Sequence, residues 1–205
     1  MIILVSGATT TVKKYSESNN LGCLLTPRSG NSYESMCGLP WAADNDCFNG
    51  LDEPRFMAML ERIQGSDPLF VTVPDVVADS VKTLELFYKW SPVVRSYGLK
   101  VAFVLQDGQE KLDMPWSQMD AIFIGGTTEY KLSAEIRWLV REAKFRSKWV
   151  HMGRVNSQKR LTYAKDIGCD SVDGTGFSRF SEAKLPAGLG LLKRDQISMD
   201  FTEAI

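Results

Sequence analysis

The 205-residue chain is 44% apolar and carries a formal net charge of −1, ordinary values for one globular unit with a sizeable core. No apolar run approaches the ~20 residues of a membrane span, and Met1-Ile2-Ile3-Leu4-Val5 reads as a strand rather than a signal peptide. A soluble, cytoplasmic protein is therefore expected, with no membrane partner.

Taken in chain order, apolar segments predict strands over 2–6, 21–26, 41–44, 69–74, 100–105, 120–124, 149–152 and 170–173. Helical spacing predicts helices over 53–64, 79–90, 131–146 and 157–167. Pro54 suits a first turn, Ser133 and Ser157 suit helix starts, and Gly98 and Gly168 fall where helices end. Residues 7–40 and 106–119 hold loop-like connections, and the tail after Phe180, with Pro186, Gly188 and Gly190, reads as a closing short helix or loop. Strand–helix alternation of this kind predicts a parallel sheet covered by helices. The fold class is α/β, a small or abbreviated (β/α)8 TIM-type barrel, because such barrels usually need ~250 residues. One domain over 1–205 is expected.

The strands end on polar groups, and in a parallel barrel those ends share one face, where barrels keep their chemistry. Asp44, Asp75 and Asp173 each follow an apolar segment. Any one of them could simply organise a turn. Three converging carboxylates favour a site, since like charges in a cleft are costly unless used. Gln106 and the pair Gly125-Gly126 offer an amide and exposed backbone N–H groups. They suit either the hydrogen-bonding edge of a purine or, for the glycines, a phosphate cradle. Phe48 and Met152 are ordinary core residue types that gain interest only if a flat base needs apolar faces. His151 and Met152 are adjacent on one strand and must point to opposite faces; His151 is read as a structural residue or one that supports the site from behind its reacting groups.

Cys23, Cys37, Cys47 and Cys169 form no C-x-x-C pair, and His151 is the single histidine. A Cys/His zinc site is not expected, no metal or cofactor is implied, and free, mostly buried thiols are the simpler reading. Charge is uneven: nine Lys or Arg residues stand against one acid between Arg137 and Lys165, whereas acids dominate from Glu34 to Asp79. Arg141, Lys144, Arg154, Lys159 and Arg160 are candidates for phosphate contacts; solvated helix faces explain them equally well.

In order, these residues resemble the guanine transglycosylase superfamily, which exchanges guanine in nucleic acid for a 7-deazaguanine. Asp44, Phe48 and Asn49 match the spacing of that family's acid/base aspartate, aromatic and amide. Asp75, Gln106 and Gly125-Gly126 match its base-reading set, Met152-Gly153 its base-packing Met-Gly, and Asp173, after Gly168-Cys169-Asp170, its nucleophile. The matched stretch covers about residues 41–176. The tRNA-acting members carry a C-x-C-x-x-C…His zinc subdomain with no counterpart in this chain, which makes it more similar to the DpdA-type enzymes that place deazapurines in DNA, in bacteria and their viruses. The resemblance implies double displacement at C1′, with Asp173 as nucleophile and Asp44 as proton shuttle. It also implies as partners a DNA duplex with a flipped guanine, a free 7-deazaguanine base such as preQ0, and a helper protein in some settings. The competing readings are tRNA-guanine exchange, a base glycosylase using water as acceptor, a phosphate-handling barrel such as an isomerase or aldolase, and a non-catalytic nucleic-acid-binding module.

Overall fold

In the computed structural model, which describes residues 1–7, 10–29 and 38–202, eight strands close into a barrel. They are β1 (Ile2–Ser6), β2 (Leu21–Leu25), β3 (Trp41–Ala43), β4 (Val71–Thr72), β5 (Val101–Leu105), β6 (Ala121–Ile124), β7 (Trp149–Met152) and β8 (Ser171–Asp173). Each pairs in parallel with the next, and β8 returns to β1 with Leu4 opposite Asp173. The fold is a TIM-type (β/α)8 barrel. All eight predicted strands are present: two keep the expected bounds, five are a residue shorter, and the fourth, expected over 69–74, is only Val71–Thr72.

The two-residue period of a strand sorts the side chains. Leu4, Leu24, Ala42, Phe70, Ala102 and Ala121 form a cluster inside the barrel, with Ile2, Leu69, Phe123 and Trp149 packed against it. Their strand neighbours face outward: Ile3, Val5, Cys23, Val71, Phe103, Ile122, Val150 and Val172 belong to the larger core beneath the helices. An eight-stranded barrel has room only for side chains, and small residues at Gly22, Ala42, Ala102 and Ala121 leave space for Phe70 and the rings beside it.

The helical layer comprises α1 (Thr10–Lys14), α2 (Glu53–Ile63), α3 (Ser80–Ser96), α4 (Thr128–Lys131), α5 (Ala134–Phe145), α6 (Gln158–Asp166), α7 (Thr175–Arg179) and α8 (Ser181–Thr202). Ser133 and Ser157 cap as expected, accepting from the Ile136 and Arg160 N–H groups at 3.3 Å. Gly98 and Gly168 have φ of 76° and 97°, the left-handed backbone that ends a helix.

Three helical expectations differ from the structure. α3 passes through Pro92 and reaches Ser96, because Phe87, Trp90, Ser91 and Val94 are buried along its length and outweigh the lost N–H bond. The single helix expected over 131–146 is two, broken between Lys131 and Ala134 where Ser133 caps the second. The tail is a long helix instead of a short closure: Leu185, Leu189 and Leu192 recur at helical spacing and are buried. Gly188 lets α8 approach β1 closely, since a Cβ there would lie 2.9 Å from Ile3 Cδ1. Cys23, Cys47 and Cys169 are buried thiols, whereas Cys37 lies outside the described residues. Among the described residues no helix is long and apolar enough to cross a membrane.

Gly22 tests how tightly the barrel is filled. A Cβ there would sit 2.6 Å from the Pro40 carbonyl oxygen and 2.7 Å from Leu4 Cδ2. Gly22→Ala is expected to cost about 1–3 kcal/mol by overpacking, read as a lower urea midpoint. Gly190→Ala, in a helix with open space around the site, is expected to leave that midpoint unchanged or raise it.

Candidate active site at the carboxyl ends of the strands

β3 continues one residue past its last ladder pair, as the Asp44 N–H donates to the Leu25 carbonyl at 2.8 Å. The Asp44 carboxylate accepts from the Asn45 N–H at 2.9 Å, and the chain then turns through a left-handed Asp46 into the 3₁₀ turn Cys47–Asn49. Asn45 is buried and ties two loops together. Its Nδ2 donates to the Val73 carbonyl and to Asp75 Oδ1, both at 2.7 Å, while its Oδ1 accepts from the Cys47 N–H at 2.8 Å. Gln106, buried at the end of β5, donates from Nε2 to Asp75 Oδ2 at 2.6 Å and accepts from the Ala78 N–H at 2.8 Å. Both Asp75 oxygens are thus held by amides. Gly125 makes room for this, because a Cβ there would come within 2.9 Å of Gln106 Nε2.

Across the barrel mouth, Asp173 closes β8. His151 Nε2 lies 2.9 Å from its Oδ2, and the Arg154 backbone N–H reaches its Oδ1 at 3.3 Å. The fully buried imidazole makes a second bond, Nδ1 to Ser171 Oγ at 2.8 Å, and that hydroxyl also receives the Trp149 indole N–H at 2.8 Å. Gly153 is small because a Cβ there would meet the Phe123 ring at 2.6 Å and Asp173 Oδ2 at 3.3 Å. Ser171, His151 and Asp173 have the partners of a hydrolytic triad, but Ser171 is fully buried in the barrel and no substrate can reach its hydroxyl.

Burial, then the charges of Asp173 and Asp75, push the Asp44 carboxyl up to about 8, against a smaller opposing pull from the Asn45 N–H. Asp44 therefore holds a proton at neutral pH and can donate it. Asp75 is also raised by burial, with the Asn45 and Gln106 amides and Arg154 opposing that shift. Burial pushes the Cys47 thiol up to about 12, which leaves it unreactive. One proton donor, one amide-locked carboxylate and one imidazole-bound carboxylate share the same end of the barrel.

The fold is shared with solved structures, an aldolase among them. The chain is similar to an HpcH/HpaI aldolase from Desulfitobacterium hafniense DCB-2, with a TM-score of 0.52, 9% identity, and 94% of this chain and 92% of that chain covered. It is also similar to RipC from Yersinia pestis, with a TM-score of 0.51, 9% identity, and 85% and 88% covered. At such identity the likeness speaks for the barrel alone. No protein-family model and no curated protein matches the sequence.

The structure brings Asp44, Asp75, Gln106, Gly125, Gly126, Arg154 and Asp173 to one mouth. Arg154, in a left-handed conformation with φ of 60°, donates from Nη2 to the Gly126 carbonyl at 2.7 Å. Its guanidinium lies 5.4 Å over the ring of Phe48, which is 64% exposed at the rim. Lys159 and Arg160 begin α6 at the same end, and Arg160 donates to Thr128 Oγ1 at 3.1 Å.

Met152 is a correction. It packs in the layer between strands and helices, not over the mouth, because β7 turns His151 inward and Met152 outward. Lys144 is another: it pairs with Asp170 at 2.6 Å, just before β8 and so at the opposite end of the barrel. Arg141, one turn earlier on α5, is carried toward that same far end. Asn45 and Lys131 were missed as residues of this mouth, and His151, read as structural or supporting, contacts Asp173 directly. Lys131 is buried, and its Nζ donates to the Gly153 carbonyl at 2.7 Å. Burial, then the Arg154 charge, lowers its ammonium to about 8.

Asp44 gives a pH test. A carboxyl with its pKa raised on folding makes the native state bind the extra proton, so stability falls as pH rises from about 4 through about 8. Asp44→Asn is expected to flatten this slope and to raise the unfolding midpoint at pH 8 relative to the wild type, with little difference at pH 4. Parallel stability curves for the two proteins across that range would remove the raised pKa.

Proposed function

We propose that the protein exchanges guanine in DNA for a 7-deazaguanine base through a covalent aspartyl-deoxyribosyl intermediate. The observation that carries this reading is the gathering of Asp44, Asp173 and an amide-locked Asp75 at one mouth, where burial and the neighbouring charges raise the Asp44 carboxyl enough to keep its proton. Asp173 attacks C1′ through Oδ1 while Asp44 protonates the departing guanine, so the bond to the base breaks as the ester forms. The incoming base then gives its proton to the Asp44 carboxylate and displaces Asp173 from C1′. Two inversions restore the original configuration, as in a retaining glycosidase.

Asp75 has accepting capacity left after its two amide bonds, since an ionised carboxylate offers about four lone-pair sites. It can receive N–H groups of a guanine edge, with Gln106 fixing its orientation. Phe48 supplies an aromatic face at the rim. With Met152 outside the barrel, the clamp on the base is one-sided. Arg154, Lys159 and Arg160 offer charge for the phosphates flanking an extruded nucleotide, which costs a few kcal/mol to unstack. The resemblance set out above favours DNA over tRNA.

An aldolase-like Schiff-base reading would need a lysine open to substrate. Among the described residues Lys131 has its ammonium lowered, but it lies on α4, buried, with that ammonium on the Gly153 carbonyl. Borohydride trapping with a keto acid should leave the protein unlabelled.

Incubating the protein with labelled guanine and, in parallel, duplex DNA or tRNA tests the proposal. Label is expected in DNA, and Asp173→Asn should reduce its incorporation by about 10⁴-fold or more while DNA binding persists. Label in tRNA alone would reassign the substrate. Abasic sites in place of label would make the enzyme a glycosylase, and wild-type exchange by Asp173→Asn would remove the nucleophile.

A further inference from the structure

The barrel interior holds a one-way hydrogen-bond chain that ends on the proposed nucleophile. The Trp149 indole N–H can only donate, and it donates to Ser171 Oγ at 2.8 Å. The Ser171 hydroxyl is then free to give its proton to His151 Nδ1, 2.8 Å away. That leaves the imidazole hydrogen on Nε2, aimed at Asp173 Oδ2 at 2.9 Å, where an ionised carboxylate accepts. Every group in the chain finds a partner of the right polarity.

The surroundings fix the ring as well as its tautomer. His151 is fully buried, with the rings of Phe123 and Phe70 at centroid distances of 4.6 and 5.2 Å. Among the described residues no other ionisable side chain bonds to it. One Asp173 oxygen is therefore fixed, and among the described residues the other, Oδ1, keeps only the long 3.3 Å bond from the Arg154 N–H.

We propose that His151, oriented by Ser171 and Trp149, is a positioning residue that ties down Asp173 Oδ2 and leaves Oδ1 as the attacking oxygen. The proposal rests on the nucleophile assigned above, and it adds the side chain that chooses between the two oxygens. A carboxylate free to rotate would present either oxygen at varying angles, and misplacement of a reacting atom by about 1 Å costs on the order of 10²-fold in rate.

Because the chain contains one histidine, nitrogen-15 NMR of histidine-labelled protein reads this imidazole without assignment. The expected spectrum has a protonated Nε2 and an unprotonated Nδ1 in the wild type, and a mixture of tautomers in Ser171→Ala, which deletes a single oxygen. A dominant Nδ1-protonated form in the wild type, or no change in Ser171→Ala, would overturn the chain. In base exchange, His151→Leu should lower kcat about 100-fold with KM nearly unchanged. His151→Gln, whose amide N–H can take the place of Nε2–H, should recover most of the loss. Equal rates for His151→Leu and the wild type would overturn the positioning role, as would a failure of His151→Gln to exceed His151→Leu. If His151→Leu does not fold, Ser171→Ala carries the kinetic test, with a smaller loss in kcat expected and an unchanged kcat counting against the proposal. Should the wild type exchange no base at all, the function proposed above fails, and the tautomer spectrum alone decides the hydrogen-bond chain.

Discussion

Three carboxylates at one end of a closed barrel repel one another, and the architecture of the mouth follows from how each is accommodated. Asp44 keeps its proton, because burial and the two neighbouring charges oppose ionisation. Asp75 is held on both oxygens by the amides of Asn45 and Gln106. Asp173 is bound by an imidazole rooted in the barrel interior. Three environments for one side-chain type leave the three carboxyls chemically unlike, which the proposed exchange requires of its acid and its nucleophile.

The barrel interior contributes more than filler. In many barrels the inward layers are branched aliphatic residues. Here alanines and a glycine make room for Phe70, Phe123, Trp149 and His151, so polar groups at the mouth are anchored several residues down the strands. The two-residue period that buries Val150 and Val172 against the helices is the same period that turns His151, Ser171 and Asp173 inward. Within β7 and β8, the alternation ties the face packed under the helices to the face that carries the site.

Much of this was legible in the sequence. Short apolar segments bounded by Gly, Pro and Asp located all eight strands, and their polar ends located Asp44, Asp75, Gln106 and Asp173. Strand alternation was also in view, but it was resolved the wrong way at β7. Placing Met152 over a base sent His151 outward, although Ser171 and Asp173, two apart on the next strand, share its face. Pairing across strands was the missing signal. Asn45 was hidden because its role depends on a loop 30 residues away. Lys144 and Arg141 looked like a continuation of the basic stretch with Arg154, but helices run antiparallel to strands in this fold and take the end of α5 to the far side. α8 was obscured by Pro186, Gly188 and Gly190, whose usual helix-breaking tendency gives way to the stripe of buried leucines.

The seam between β7 and β8 is fastened at both ends by different chemistry. Asp170, before β8, accepts from the Val150 N–H at 2.8 Å and from Lys144, whereas Asp173, three residues later, belongs to the mouth. An aspartate at the foot of the strand locks register, and one at its head is left available for reaction. Selection acting on this pair of strands can therefore tune endurance at the lower clasp without disturbing reactivity at the upper one, a division of labour within a single short strand.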